Sequence, residues 1–514
     1  MLNPQSQNLW RLGLLLLSIL MSCQNEHPDL MGAASSSTKV VIQLHRERSN
    51  CRLQVLAYGG NLDALKNLDL NDETSFLLDL SDAERASLSS VTVGAVCLDA
   101  QSRIVEMGST VLSVPANTQR ADLSLKRLFC EGSWCIVPAK FGFPGWGRRE
   151  MNDVYAQKFD RAWIVGSGGL IARWNGVTWR PIEGTIAPGD PCSNIASVGG
   201  SSIISDSMRI SVSATDTSAC KYSIYRITNG SLIPASENPS YATPKDKPYR
   251  IRLAHQQAMS TNMILISPLG MYTASLGGSY TSIYNKGSRN KWIDALFRPN
   301  AAQTQASPYF TLFENTDLMT LPLGKYFIAA KDKESDAISN PAPTEYQLET
   351  HLVPIPLQTP RRIGMHDEDR SVDTKIWVSG VAEPGASPVK LLVAKGSKQI
   401  VNINNAAFNG DATIFTNGFL DCDSIYVPSD TVGYVSCYNA KQETSLVLRC
   451  QVSGSGASIS VNCGLSLPQD TARLQMAELK DRIVAIHGTK SVDSGQIQLW
   501  AIGKSTIWLY QGDL

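Results

Sequence analysis

The chain has 514 residues, 46 basic and 46 acidic side chains, 43% apolar residues and 11 cysteines. The balanced charge gives no electrostatic case for binding nucleic acid or another polyanion, and the length excludes a single small domain while allowing a large core. The N-terminal residues 1–22 carry Arg11 as their one charged side chain, followed by an apolar run, Leu12–Met21. A membrane-spanning helix needs about 20 apolar residues, so this shorter run has the pattern of a signal peptide.

The residues that follow specify the kind of signal. Leu20-Met21-Ser22-Cys23 resembles the bacterial lipobox, with an aliphatic residue at −3, a small residue at −1 and cysteine opening the mature chain. The resemblance implies cleavage before Cys23, a diacylglycerol on its thiol and an acyl chain on its amine. Gln24 is not the aspartate that lipoprotein sorting rules associate with inner-membrane retention, which points to the outer membrane. Residues 23–37 are small and polar without periodicity and read as a flexible tether.

With Cys23 set aside, an even set of cysteines is left in an oxidising compartment, where disulfides are expected. Taken in chain order the pairs are Cys51–Cys97, Cys130–Cys135, Cys192–Cys220, Cys422–Cys437 and Cys450–Cys463. A turn at Pro428–Thr431 sets Cys422 opposite Cys437, whereas a turn over Ser453–Ser458 leaves Cys450 and Cys463 two residues out of register. No repeated CxxC supports a zinc site.

Helical periodicity is scarce, and short β-branched or aromatic runs recur between Gly, Ser, Asn and Pro clusters, so the chain is all-β. Residues 38–128 hold candidate strands at Lys39–Leu44, Arg52–Tyr58, Ser75–Leu80, Val91–Leu98, Ile104–Leu112 and Ala121–Leu125. Their number and spacing suit a small immunoglobulin-like β-sandwich. Asp82–Leu88 and Lys291–Leu296 are candidate helical turns, treated as loop insertions.

Residues 129–514 change character. Ala162–Arg180 reads AWIVGSGGLIARWNGVTWR, with glycine turns between strands and tryptophans at strand edges. It resembles the WxVGxxGxIxRWNGxxW repeats of bacterial β-propeller proteins through Trp163, Val165, Gly166, Gly169, Ile171, Arg173, Trp174, Asn175, Gly176 and Trp179. Similar units follow at Ile195–Ile233, Asn262–Tyr284, Tyr309–Ala330, Thr374–Asn402, Ala412–Gly464 and Arg482–Tyr510. With blades of ~40–50 residues these units fit a six- to seven-bladed propeller, closed by Thr506–Tyr510 joining a sheet begun near Cys130–Val137; the alternative is a chain of separate sandwiches. Ser339–Thr344 and Leu352–Pro360 read as extended Pro-rich connectors.

No catalytic constellation emerges from these residues. His366-Asp367-Glu368-Asp369 with Asp373 lacks the oxygen spacing of a calcium loop and reads as a solvated surface. The histidines are scattered, GxSxG is missing, and Ser167 belongs to a blade turn. Ser491–Gly495 resembles an Asp-box, which concerns fold alone. Phe141, Phe143, Trp146, Arg148 and Arg149 form the candidate recognition loop, or else seal the junction between sandwich and propeller. The expectation is a lipid-anchored, extracytoplasmic module without cofactor that binds or scaffolds a protein or glycan; the alternative is a carbohydrate-active hydrolase or lyase.

Overall fold

The computed structural model describes residues 38–513 apart from internal segments, the longest being 235–249, 297–309, 331–351 and 403–419. The chain is all-β. Its first eight strands are β1 (Thr38–His45), β2 (Arg52–Tyr58), β3 (Ala64–Asn71), β4 (Ser75–Leu80), β5 (Ser90–Leu98), β6 (Ile104–Ser113), β7 (Arg120–Ser124) and β8 (Lys126–Arg127). They form two sheets, ordered β4-β1-β7 and β3-β2-β5-β6-β8. Alternation places Val40, Ile42 and Leu44 of β1 against Leu53, Val55 and Ala57 of β2 and Val91, Val93 and Ala95 of β5. Cys51–Cys97 staples this core.

The second sheet is apolar on its other face as well. Leu56, Tyr58, Val96, Leu98 and Met107 share one core with Trp174, Val177, Trp179 and Trp500 of the following domain. At Gly94 an added Cβ would lie 3.1 Å from the Thr178 side chain, so the missing side chain lets a blade turn approach the sheet closely. Arg180 donates to the Gly59 carbonyl and stacks over the Tyr58 ring at 4.6 Å. Burial pushes the Tyr58 hydroxyl up to about 12, with Arg180 opposing the shift. Gln511 binds both backbone groups of Ile104, accepting from its N–H at 2.8 Å and donating to its carbonyl at 3.2 Å.

The remaining strands close a seven-bladed propeller. The hairpin β9 (Phe129–Glu131) and β10 (Trp134–Val137) precedes blade one, β11–β14 (Met151–Lys158, Arg161–Gly166, Ile171–Trp174, Trp179–Pro181). Blade two is β15–β18 (Ile195–Gly199, Arg209–Val212, Ile224–Thr228, Ser231–Pro234), and blade three is β19–β22 (Arg250–Leu253, Asn262–Ser267, Gly270–Ser275, Thr281–Tyr284). Blade four is β23–β26 (Asn290–Leu296, Phe310–Asn315, Tyr326–Ala330, Leu352–Pro354), and blade five is β27–β30 (Thr359–Gly364, Asp373–Val381, Val389–Lys395, Gln399–Asn402). Blade six is β31–β34 (Leu420–Ser429, Val432–Asn439, Thr444–Ser453, Ser460–Leu465), and a Val381–Asp421 backbone pairing continues the sheet of blade five into it. Blade seven, β35–β37 (Ala485–Lys490, Gln496–Ile502, Ile507–Asp513), is completed by β10 and β9. The innermost strands β11, β15, β19, β23, β27, β31 and β35 neighbour one another around the ring.

Several local expectations are corrected. Lys291–Leu296 is not helical: it lies in β23, the innermost strand of blade four, where pairing with β24 outweighs the helix-compatible letters KWIDAL. Leu352–Pro354 is a strand, β26, and its proline sits at the outer edge, where no ladder donor is needed. The strand β3, ALKNLDLN, escaped the sequence pattern because it is an edge strand rich in polar residues. Residues 339–344 and most of 82–88 lie outside the described residues.

The bridges Cys130–Cys135, Cys422–Cys437 and Cys450–Cys463 are each formed across paired strands. The expected two-residue offset at Cys450–Cys463 is wrong: Ser453 pairs Ser460, so the loop spans 454–459 and the cysteines fall in register. Cys422 meets Cys437 by another route, since the turn closes on Ser429–Val432 and two register shifts restore the pairing. Cys192 and Cys220 lie outside the described residues. Burial separates the bridges: Cys422, Cys437, Cys450 and Cys463 are buried, whereas Cys130 is exposed. Treating the folded protein with mild reductant and an alkylating agent is therefore expected to label Cys130 and Cys135 before the blade-six cysteines. Simultaneous labelling by peptide mass spectrometry would show that access does not set the order.

Candidate functional site

The centre of a propeller is lined by its innermost strands, and here five of the seven share a device. Register shifts occur between Met151/Asp153, Ile195/Ser197, Trp292/Asp294, Pro360/Arg362 and Cys422/Ser424. A bulge re-aims the side chain that follows it. Asp153 accepts hydrogen bonds from Ser197 Oγ at 2.7 Å and Val198 N at 3.2 Å, tying blade one to blade two. Asp294 accepts from Ile363 N at 3.1 Å, tying blade four to blade five. Ser424 Oγ accepts from Ile486 N at 3.2 Å, tying blade six to blade seven. Each aspartate also accepts from its own following N–H, Val154 or Ala295.

Arg362 occupies the same position in blade five, and its Nη2 reaches Asp153 of blade one at 3.5 Å. Blades five and one are not neighbours, so the pair crosses the channel. Its side chains are 13% and 6% exposed. Two residues further along β11, β31 and β35, Tyr155, Tyr426 and His487 approach one another, with ring centroids 4.5 Å and 5.1 Å from the histidine. Ala156 N donates to His487 Nδ1 at 3.0 Å across the closing seam, which puts the proton of the neutral ring on Nε2.

An ionic belt lies on the face where the innermost strands begin. Arg482 grips Asp423 with two bonds, Nε to Oδ2 at 2.6 Å and Nη2 to Oδ1 at 2.8 Å, and also reaches Asp421. Arg361 approaches Asp421 at 3.3 Å and Asp423 at 4.0 Å. The belt joins blades five, six and seven. Hydrogen bonding to Asp423 raises the Arg482 guanidinium above its ordinary range. Burial pushes the Asp423 carboxyl up, with Arg482 opposing it.

These placements bear on chemistry. A glycosidase needs two carboxyl groups about 5–10 Å apart beside a solvated cleft. Asp153 and Asp294 are buried and committed to bonds that hold blades together. No group of three or more His, Cys, Asp or Glu able to hold a metal occurs among the described residues. His366 binds Asp430 at 3.0 Å, while Asp367, Glu368 and Asp369 lie outside the described residues. In the β35–β36 connection Gly495, at φ +69°, donates its N–H to the Ser491 carbonyl, while Val492 and Asp493 of the Asp-box resemblance lie outside the described residues.

Of the candidate recognition loop, Phe141, Phe143, Trp146 and Arg148 lie outside the described residues, as does Cys23. Arg149 is half-buried, and its side chain packs beside the Gly168 turn. Among the described residues, the sandwich–propeller junction is packed by Tyr58, Trp174, Trp179 and Trp500. Asp153, Asp294 and Arg362 were missed in the sequence. Their signal is a polar residue breaking an apolar run before an aliphatic one: MNDVYA, KWIDAL, PRRIG.

A second concavity, about 490 Å³, opens between the sandwich and blade seven, lined by Arg103, Arg127, Phe129, Cys130, Ser133 and Gln511 among others.

No protein-family model and no curated protein sequence matches this chain. Among solved structures, similarity is found to YCF48 bound to a D1 peptide, with 10% identity, TM-score 0.41 and coverage of 75% of this chain and 99% of that one. YCF48 from Cyanidioschyzon merolae matches with 12% identity and TM-score 0.38, covering 74% of this chain and 98% of that one. A streptogramin B lyase structure matches with 10% identity and TM-score 0.38, covering 74% of this chain and all of that one, at 100%.

Proposed function

We propose that this chain is a lipoprotein exported through residues 1–22, anchored to the outer membrane by lipid on Cys23, whose body binds and scaffolds a partner protein. One observation carries the reading: a continuous core fuses the sandwich to blades one and seven, and the described channel carboxylates are spent on holding the ring. Such a body presents loops and edges on a fixed frame, and its channel aspartates Asp153 and Asp294 are buried and engaged in bonds between blades. Fold alone does not assign a partner, so the reading stands on the site.

The anchor is tested by metabolic labelling with a palmitate analogue and detergent-phase partitioning. The wild-type chain is expected to carry the label and enter the detergent phase, and Cys23→Ala to do neither. Labelling of both forms would remove Cys23 as the lipid site. Crosslinking in intact cells then tests the scaffold: a specific protein adduct of the wild type that Cys23→Ala fails to form is expected. The absence of any such adduct would count against the reading.

A further inference from the structure

Blade seven differs from the others in carrying a fifth strand. The sheet order β35-β36-β37-β10-β9 leaves β9 on the outside, with no further strand beyond it among the described residues. Glu131 pairs Trp134 across the turn Gly132–Ser133, where Gly132 has φ +57°. A two-residue turn of this kind makes its flanking pair hydrogen-bonded, so the next pair, Cys130 with Cys135, is not. The N–H and C=O of Cys130 therefore point away from β10, along the outer edge.

That edge borders the 490 Å³ groove. Phe129 contributes an aromatic surface that is 44% exposed. Arg127 is exposed and makes no ion pair among the described residues. The Arg103 side chain is 43% exposed, while its partner Asp99 is 14% exposed and also accepts from the N–H groups of Gln101 and Arg103. The carboxylate is thus consumed inside its turn, and the accessible charge of the groove is positive.

We propose that this groove binds an extended, acidic segment of a partner protein, which adds as a strand to the edge of β9. Backbone bonds to Cys130 supply the register, Phe129 takes an apolar side chain, and Arg127 with Arg103 takes carboxylates. The proposal rests on the reading that the body binds a protein, and it names where and by what chemistry.

The test uses the mature, lipidated chain in detergent and two fluorescent octapeptides, one alternating valine with glutamate and one alternating valine with lysine. The wild type is expected to bind the acidic peptide saturably, with an affinity that falls as salt rises. Arg127→Glu should weaken that binding about tenfold and favour the lysine peptide, as charge complementarity requires. Leu77→Ser, at an exposed position on the sandwich, should change nothing. Equal affinity for the two peptides, no saturable binding, or indifference to Arg127→Glu would each overturn the proposal. In crosslinked cells, a partner kept by Arg127→Glu and lost by Cys23→Ala would overturn the groove and leave the scaffold standing. Loss of the adduct in both variants supports the groove.

Discussion

Replacing Asp153 with alanine is expected to destabilise the protein by ~3–5 kcal/mol, read as a fall in the urea midpoint of the mature chain. The carboxylate is 6% exposed and receives Ser197 Oγ, Val198 N, Val154 N and Arg362 Nη2. Alanine leaves buried donors at the interface of blades one and two and removes an anion facing the guanidinium. Each unsatisfied buried group costs about 1–3 kcal/mol. The pair is shielded from solvent, so raising salt should not mimic the substitution. The partner change supplies the control: Asp153→Ala with Arg362→Met should be less damaging than the sum of the two single variants, because the charge and its counter-charge leave together. Additive losses would mean that Asp153 serves its own blade contacts and that the bond across the channel contributes nothing.

Asp153 also marks the limit of what the sequence reveals. The sandwich strands were legible because their apolar residues alternate, as SFLLDL does in β4 with its buried Phe76, Leu78 and Leu80. Blade one was legible because Asn175 writes its turn into the sequence, its Oδ1 accepting from Val177 N and Thr178 N. The innermost strands were harder. Five of the seven are interrupted by a bulge, so neither a period of two nor a helical period persists through those five. KWIDAL was therefore mistaken for a helical turn.

The ionic belt was hidden for a different reason. Arg361, Asp421, Asp423 and Arg482 are up to 121 positions apart if measured from Arg361 to Arg482, and they meet only because successive blades begin on one face. Local spacing carries no trace of such a cluster. The Cys450–Cys463 register depended on where a serine-rich loop closes, and Ser, Gly and Ala at 453–458 offer several equivalent closures. Disulfide order in the remaining described pairs was easier, because each joins adjacent or near-adjacent strands.

The other large loss is expected at Trp500. This side chain is fully buried, its ring 5.0 Å from Trp174 and 4.9 Å from Trp179, in the core that also contains Leu56, Tyr58 and Val96 of the sandwich. One residue thus serves three contacts: blade seven with blade one, and both with the sandwich. Trp500→Ala removes dispersion contacts and leaves a cavity, at a cost of ~3–5 kcal/mol. Its Nε1 has no acceptor among the described residues, so the loss is one of volume and not of a hydrogen bond. Trp500→Phe should then retain much of the stability, and Leu465→Ala, at a residue 38% exposed, should stay within about 0.5 kcal/mol of wild type. Urea unfolding ranks the three. Amide exchange gives a sharper criterion, since Trp500→Ala should loosen β5 of the sandwich together with β13 and β36 of the ring. Exchange that rose in the propeller strands alone would show the sandwich to be a separate body, and the groove beside β9 would lose the fixed frame that its proposed ligand requires.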